Sequence, residues 1–168
     1  MNRVLGAVER IIQTVGSCGR WLVVALILVT LYEITMRYLF RAPTNWAYET
    51  SMMLGGTIYA LGWSYALLHR SHVRVDIFFS RLSKRGQAIA DILLSIVLFF
   101  PLVSMIAYRA IYWAHRAYIR GEVLMDSTWF PPAWPYKSML AIGLCLLLIM
   151  GVVKFIRDIQ IASGGAES

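Results

Sequence analysis

Long runs without a formal charge dominate this chain, and they decide what it can fold into. Residues 50–68 are 19 positions with none, 92–108 are 17, 138–153 are 16, and 21–36 are 16 broken only by Glu33. A helix needs about 20 residues to cross the hydrocarbon core of a bilayer, and with their flanks all four segments reach that length. Backbone N–H and C=O groups find no water in lipid, so such segments must be helices. Composition agrees: 59% of the residues are hydrophobic and 15% charged, against about 25% charged in an ordinary globular domain. A chain of 168 residues cannot bury that much apolar surface in a core of its own. A disordered chain, a disulfide-stapled secreted module and a typical cytosolic enzyme are excluded. The expected fold class is all-α: a polytopic membrane protein forming a single membrane domain over residues 1–168. Its four transmembrane helices are expected at approximately 20–41, 48–69, 88–113 and 136–156, with amphipathic interfacial segments at approximately 2–18 and 73–86.

The net charge of +7 reads as membrane topology rather than a nucleic-acid footprint, because the basic residues sit between the apolar runs. With both termini in the cytosol, ten Lys and Arg residues fall on the inner side and five on the outer, with Arg109 inside a span. The excess of positive charge on the inner side favours that orientation. Trp46, Tyr48, Tyr112, Trp113, Trp129, Trp134 and Tyr136 then form an outer aromatic belt. The first span follows 20 residues of chain and no small-residue cleavage site follows it, so it is read as retained rather than as a signal peptide.

The connections carry their own patterns. Val4, Val8, Ile11, Ile12 and Val15 recur at helical spacing, with Arg3, Glu9, Arg10 and Gln13 off that stripe. This predicts an amphipathic helix on the inner leaflet or one leading obliquely into the first span. Val75, Phe78, Phe79 and Leu82 form a second such stripe, surrounded by Arg74, Arg81, Lys84 and Arg85. The third connection holds Pro131, Pro132 and Pro135, which exclude a helix there and predict an ordered loop at the outer interface.

Charges inside lipid are functional candidates by default. Glu33 and Arg37 lie one turn apart and can pair along a helix. Together with Glu49 and Arg109 they fall in the outer half, where a compact ionic cluster could join three helices; separate snorkelling to the headgroups is the alternative. In the second span Gly56/Ala60 and Gly62/Ala66 are small-residue pairs of the kind that let helices approach closely. Pro101 is expected to kink the third. His69, His72 and Asp76 could face one way as metal ligands would, yet a capped, solvated turn explains them better. No metal site and no cofactor is expected. Cys18 and Cys145 sit in no Cys or His cluster, and neither a nucleotide loop nor a Ser-His-Asp set is present, so no catalytic residue is assigned and the chain is not expected to be an enzyme.

Three stretches, in order, resemble a known family. Asn45-Trp46-Ala47-Tyr48-Glu49 opens the second span, His72-Val73-Arg74-Val75-Asp76 follows it, and the Trp/Pro-rich residues 129–136 precede the fourth. The pattern, covering roughly residues 20–157, is similar to the DctQ-like small membrane subunit of the tripartite ATP-independent periplasmic (TRAP) transporters. The resemblance implies a non-catalytic small permease subunit in the bacterial inner membrane. Its implied partners are a large membrane subunit that carries the solute and sodium sites, a periplasmic solute-binding protein, and membrane lipids, with no nucleic acid. The transported solute would be an organic acid taken up by symport. The structural and interface candidates are Glu33, Arg37, Trp46, Glu49, His72, Arg74, Asp76, Arg109, Trp129 and Trp134. A second reading is a small four-helix proton-coupled multidrug antiporter using Glu33. Against it stand Arg37 one turn away and connections of about 20 residues. A haem-bearing anchor would need facing intramembrane histidines, and His69 and His115 lie at opposite sides.

Overall fold

The computed structural model describes residues 2–69 and 84–163. Five α-helices account for most of them: α1 (Asn2–Tyr38), α2 (Ala47–Leu68), α3 (Lys84–Leu94), α4 (Phe100–Arg120) and α5 (Trp134–Ala162). A π-helical turn, Ser95–Phe99, joins α3 to α4 without a break. The described residues contain no strand; the nearest thing is an isolated antiparallel bridge between Val123 and Pro132. All-helical architecture follows directly from the apolar runs.

Three helical stretches are long and apolar enough to cross a membrane: Leu5–Tyr38, Gly86–Arg120 and Trp134–Ala162. Helix α2 has 22 residues, which is length enough, but Gly, Ser, Thr and Tyr residues spread along it keep its most apolar stretch below those of the other three. The segments expected as an interfacial helix at 2–18 and a span at 20–41 form one continuous helix of 37 residues. Its rise of about 55 Å exceeds the roughly 30 Å hydrocarbon core, so one end must overhang the bilayer or the helix must tilt. The second expected interfacial segment, at 73–86, lies mostly outside the described residues.

The helices stand in a row rather than around a centre. Helix α1 packs on α2, α2 on α5, and α5 on α3 and α4; α1 touches α5 lightly, and neither α1 nor α2 makes substantial contact with α3 or α4. Contacts fix the register. Gln13 meets His69, Gly16 lies under the Tyr65 ring and Tyr32 stacks on Trp46, so α1 runs antiparallel to α2. The Phe99 ring lies over Gly151 and Tyr118 packs edge-on against Trp134, so α4 runs antiparallel to α5.

Small residues make the seams. A Cβ added at Gly143 would stand 2.5 Å from the Ala60 carbonyl oxygen, and one at Gly56 would collide with the Tyr136 ring. The Gly56/Ala60 pair therefore faces α5, as close small-residue packing requires. Gly62, in the second pair, has open space where its Cβ would be. Helix α4 turns Val103, Ala107, Ala110, Ala114 and Ala117 toward α5 at helical spacing. Its other sides, like most of α1 from Trp21 to Tyr38, expose large apolar side chains. For a chain solvated by lipid this is the expected disposition, since lipid and core are equally apolar.

The third segment accommodates Pro101 by a specific device. Its ring would crowd the carbonyl four residues back. The wider π turn just before it gives that ring room, with the Phe100 N–H reaching back to the Ser95 carbonyl. Below the turn, α3 also packs on α5, with Asp91 meeting Lys154 and Phe100 meeting Phe155.

Candidate functional site

The polar side chains concentrate at the two ends of the row, termed outer and inner after the orientation expected from the charge bias. At the outer end, Glu49 sits in the first turn of α2 and is fully buried. No side chain caps this helix, so the carboxylate at its third position faces the positive end of the helix dipole, a favourable place for an anion. Its Oε1 accepts the backbone N–H of Ser127 at 3.0 Å, 78 positions further along the chain. Glu49 Oε2 is buried with no hydrogen-bond partner among the described residues. The carboxylate is thus a latch between α2 and the loop that joins α4 to α5.

That loop is ordered by its own contacts. Gly121 ends α4 with φ +61, a left-handed cap that costs glycine little. Leu124 N–H donates to the Pro131 carbonyl at 2.9 Å and Ala133 N–H to that of Glu122 at 2.8 Å, closing an arch. At its tip Trp129 N–H donates to Ser127 Oγ at 3.1 Å, and Phe130 adopts a left-handed φ of 50°. Glu122 pairs with Lys137 at the start of α5, and more distantly with Arg116 at 3.9 Å. The hydrogen bond from Lys137, reinforced by its charge and those of Arg116 and Arg120, holds the Glu122 carboxyl below its ordinary pKa.

Glu33 closes the other outer corner. Arg37 Nε donates to its Oε1 at 3.0 Å, and Thr44 donates to Oε2 through both its backbone N–H, at 3.1 Å, and its hydroxyl. The carboxylate thereby ties the end of α1 to the turn leading into α2. Trp46, next in that turn, stacks on Tyr32 with centroids 5.7 Å apart.

The four outer charges do not form one cluster. Glu33 and Arg37 pair with each other, Glu49 takes a backbone N–H, and Arg109 is exposed on α4 with no carboxylate partner among the described residues. Trp129 is exposed on the loop, and Trp134, at the start of α5, packs edge-on against Tyr118. His72, Arg74 and Asp76 lie outside the described residues.

Apart from His69, weighed above as a metal ligand, side chains outside the sequence-derived site candidates build the inner end. Lys154 of α5 stands 3.2 Å from Asp91 of α3 and 3.3 Å from Asp158 one turn on. Arg157 reaches Glu9 of α1 at 2.7 Å, and His69 bonds Gln13 at 3.0 Å. All four helical layers are joined here by polar contacts. Lys154 and Asp158 at i, i+4 were readable as a pair; Asp91 and Glu9, far off in sequence, were not. Among the described residues no three His, Cys, Asp or Glu side chains gather as a metal would require, and both thiols are free.

Apolar helices with open outer faces, small-residue seams between them and polar ties at both ends define a class: an all-helical integral membrane component. A family profile described as "Tripartite ATP-independent periplasmic transporters, DctQ component" matches residues 26–161. The chain belongs to this family. No curated protein matches the chain. In these tripartite systems the DctQ component works with a second membrane component, DctM, and a binding protein, DctP.

Proposed function

We propose that this chain is a non-catalytic scaffold subunit of a TRAP transporter. On this reading it braces the large transport subunit for binding-protein-dependent, sodium-coupled uptake of an organic acid across the bacterial inner membrane. All four helical layers cross the bilayer, α2 included, with both termini cytoplasmic. The supporting observation is how the charges are used. Glu33, Glu49, Glu122 and Lys154 each hold one helix or loop to another, and the row encloses no centre through which a solute could pass. The family supplies the rest of the reading. Glu33, Arg37, Trp46 and Glu49 then fasten the outer end, and Trp129 and Trp134 present the outer loop to the binding protein.

Glu33 has all its carboxylate oxygens engaged by Arg37 and Thr44, which argues against a proton-coupled antiporter built on it. The test is affinity purification of the full chain in mild detergent, followed by mass spectrometry and uptake assays in vesicles. A large polytopic permease should copurify, and uptake should need all three proteins and a sodium gradient. Solute movement by this chain alone would defeat the proposal.

A further inference from the structure

Helix α4 carries a stripe that the scaffold reading leaves unused. Leu102, Met105, Arg109, Trp113, Arg116 and Arg120 recur at intervals of three and four, so they share one side of the helix. All are exposed. The side lies about a third of a turn from the alanine seam that packs on α5, judged at about 100° per residue.

The register with α5 sets their depth. Phe99 lies over Gly151 and Tyr118 against Trp134, which brings Arg109 level with about residue 142 and Arg116 level with Tyr136 and Lys137. Between Lys137 and Lys154 α5 has no formal charge. That stretch is the apolar slab, and Arg109 sits about 8 Å inside its outer edge. Arg116 stands at the edge itself. The order along the stripe is therefore apolar, Arg109, Trp113, Arg116, Arg120.

Among the described residues neither arginine has a carboxylate to itself. Arg109 has no carboxylate among the described residues. Arg116 approaches only Glu122, at 3.9 Å, and Glu122 is already taken by Lys137. An arginine this deep must extend toward the headgroups or meet an anion. Arg109 and Arg116 are one heptad apart, about 10 Å along the axis and only some 20° around it. One side chain reaching up and the other down converge on a group between them, beside the Trp113 ring.

We propose that this stripe is a binding site for the phosphate of an outer-leaflet phospholipid, clasped between Arg109 and Arg116. The acyl chains lie along Leu102 and Met105, where the helix surface is apolar. Guanidinium groups match phosphate oxygens in paired, charge-assisted hydrogen bonds, and tryptophan favours the same depth. The polarity order of the stripe is that of a phospholipid. A protein carboxylate would satisfy the charges but gives no reason for the apolar track directly beneath them.

Native mass spectrometry of the purified full chain tests this, with phosphatidylglycerol, diacylglycerol and inorganic phosphate as separate probes. Phosphatidylglycerol should be retained with one tight site, diacylglycerol should not, and millimolar inorganic phosphate should not displace the lipid. Arg109→Gln with Arg116→Gln should weaken retention about tenfold or more, the loss of a charge-assisted pair, while Arg37→Gln leaves it unchanged. Arg116→Gln alone, outside the apolar slab, gives a weaker version of the same loss if the double variant fails to fold. Equal retention by wild type and variants would overturn the proposal. So would equal binding of diacylglycerol, displacement by free phosphate, or variants that keep the lipid but lose a copurifying membrane protein.

Discussion

Glu49→Ala isolates the outer latch. In the native chain the carboxylate holds one backbone N–H, that of Ser127, and sits in the first turn of α2. Removing it forfeits a hydrogen bond to a charged group, about 1.5–3 kcal/mol. It also loses the interaction of the charge with the helix N-terminus, about 0.3–1 kcal/mol. The sum, about 2–4 kcal/mol, falls on the loop rather than on the whole fold, because residues 122–133 have their own arch of hydrogen bonds to the start of α5. At about 1.4 kcal/mol per decade, the loop should open on the order of 30 to 700 times more often. Hydrogen exchange of the full chain in detergent reads this directly, since exchange from a locally opened segment reports its opening free energy. Protection should collapse for Ser127 and Trp129 and stay unchanged in the middle of α5. Glu49→Gln keeps an acceptor for Ser127 and should lose clearly less. Unchanged protection of Ser127 in Glu49→Ala would show that the loop is held by something else and that the latch is incidental.

Three further outcomes follow from the same contacts. Gly143→Ala should destabilise the chain by about 1–2 kcal/mol in thermal unfolding: overpacking costs about 1–3 kcal/mol and helix propensity returns up to about 1. Gly62→Ala, with open space at its Cβ, should be neutral or gain up to about 1 kcal/mol; equal losses at both sites would remove the argument for a close α2–α5 seam. Lys154→Met should cost about 3 kcal/mol or more by leaving the buried Asp158 without a cation, and Asp158→Asn in the same chain should recover part of it. Acid should loosen the outer arch through Glu122, whose carboxyl is held low in the folded chain. A lowered folded value means the stabilisation is present above the ordinary carboxylate range and is lost as pH falls through the folded value. Exchange at Leu124 and Ala133 should therefore rise below about pH 4, and Glu122→Gln should remove that dependence.

What the sequence made legible was set by period and by local spacing. The apolar runs yielded an all-helical chain. Glu33 with Arg37 was readable because i, i+4 neighbours meet on any helix. Glu49 stood out through its place before an apolar run and through the family-like motif. Its partner did not, because a backbone N–H 78 positions away has no side-chain signature. The same holds for Asp91 with Lys154 and Glu9 with Arg157, whose pairing depends on which helix stands beside which. The segments at 2–18 and 20–41 were expected as separate elements, but the helix runs on through Gly16 and Arg20. The Tyr65 ring fills the space a Cβ at Gly16 would need, and Arg20 Nε turns back to the Ser17 carbonyl.

The row arrangement gives these details a common sense. In a bundle each helix is held from two or three sides, and a missing side chain is partly covered by others. In a row α1 rests on α2 and α4 on α5, so each outer helix depends on one seam and on its end ties. Small residues let the inner seams close, at Gly56, Ala60 and Gly143, and dispersion at short range does the holding there. Ion pairs and hydrogen bonds sit where the layers end, near water, where desolvation costs least. Fastening at the rims and smooth contact in the middle leaves the broad faces of the row largely apolar, apart from Arg109 on the open side of α4. A subunit that braces a larger membrane partner needs faces of that kind, and a solute carrier would instead need its charges in the middle.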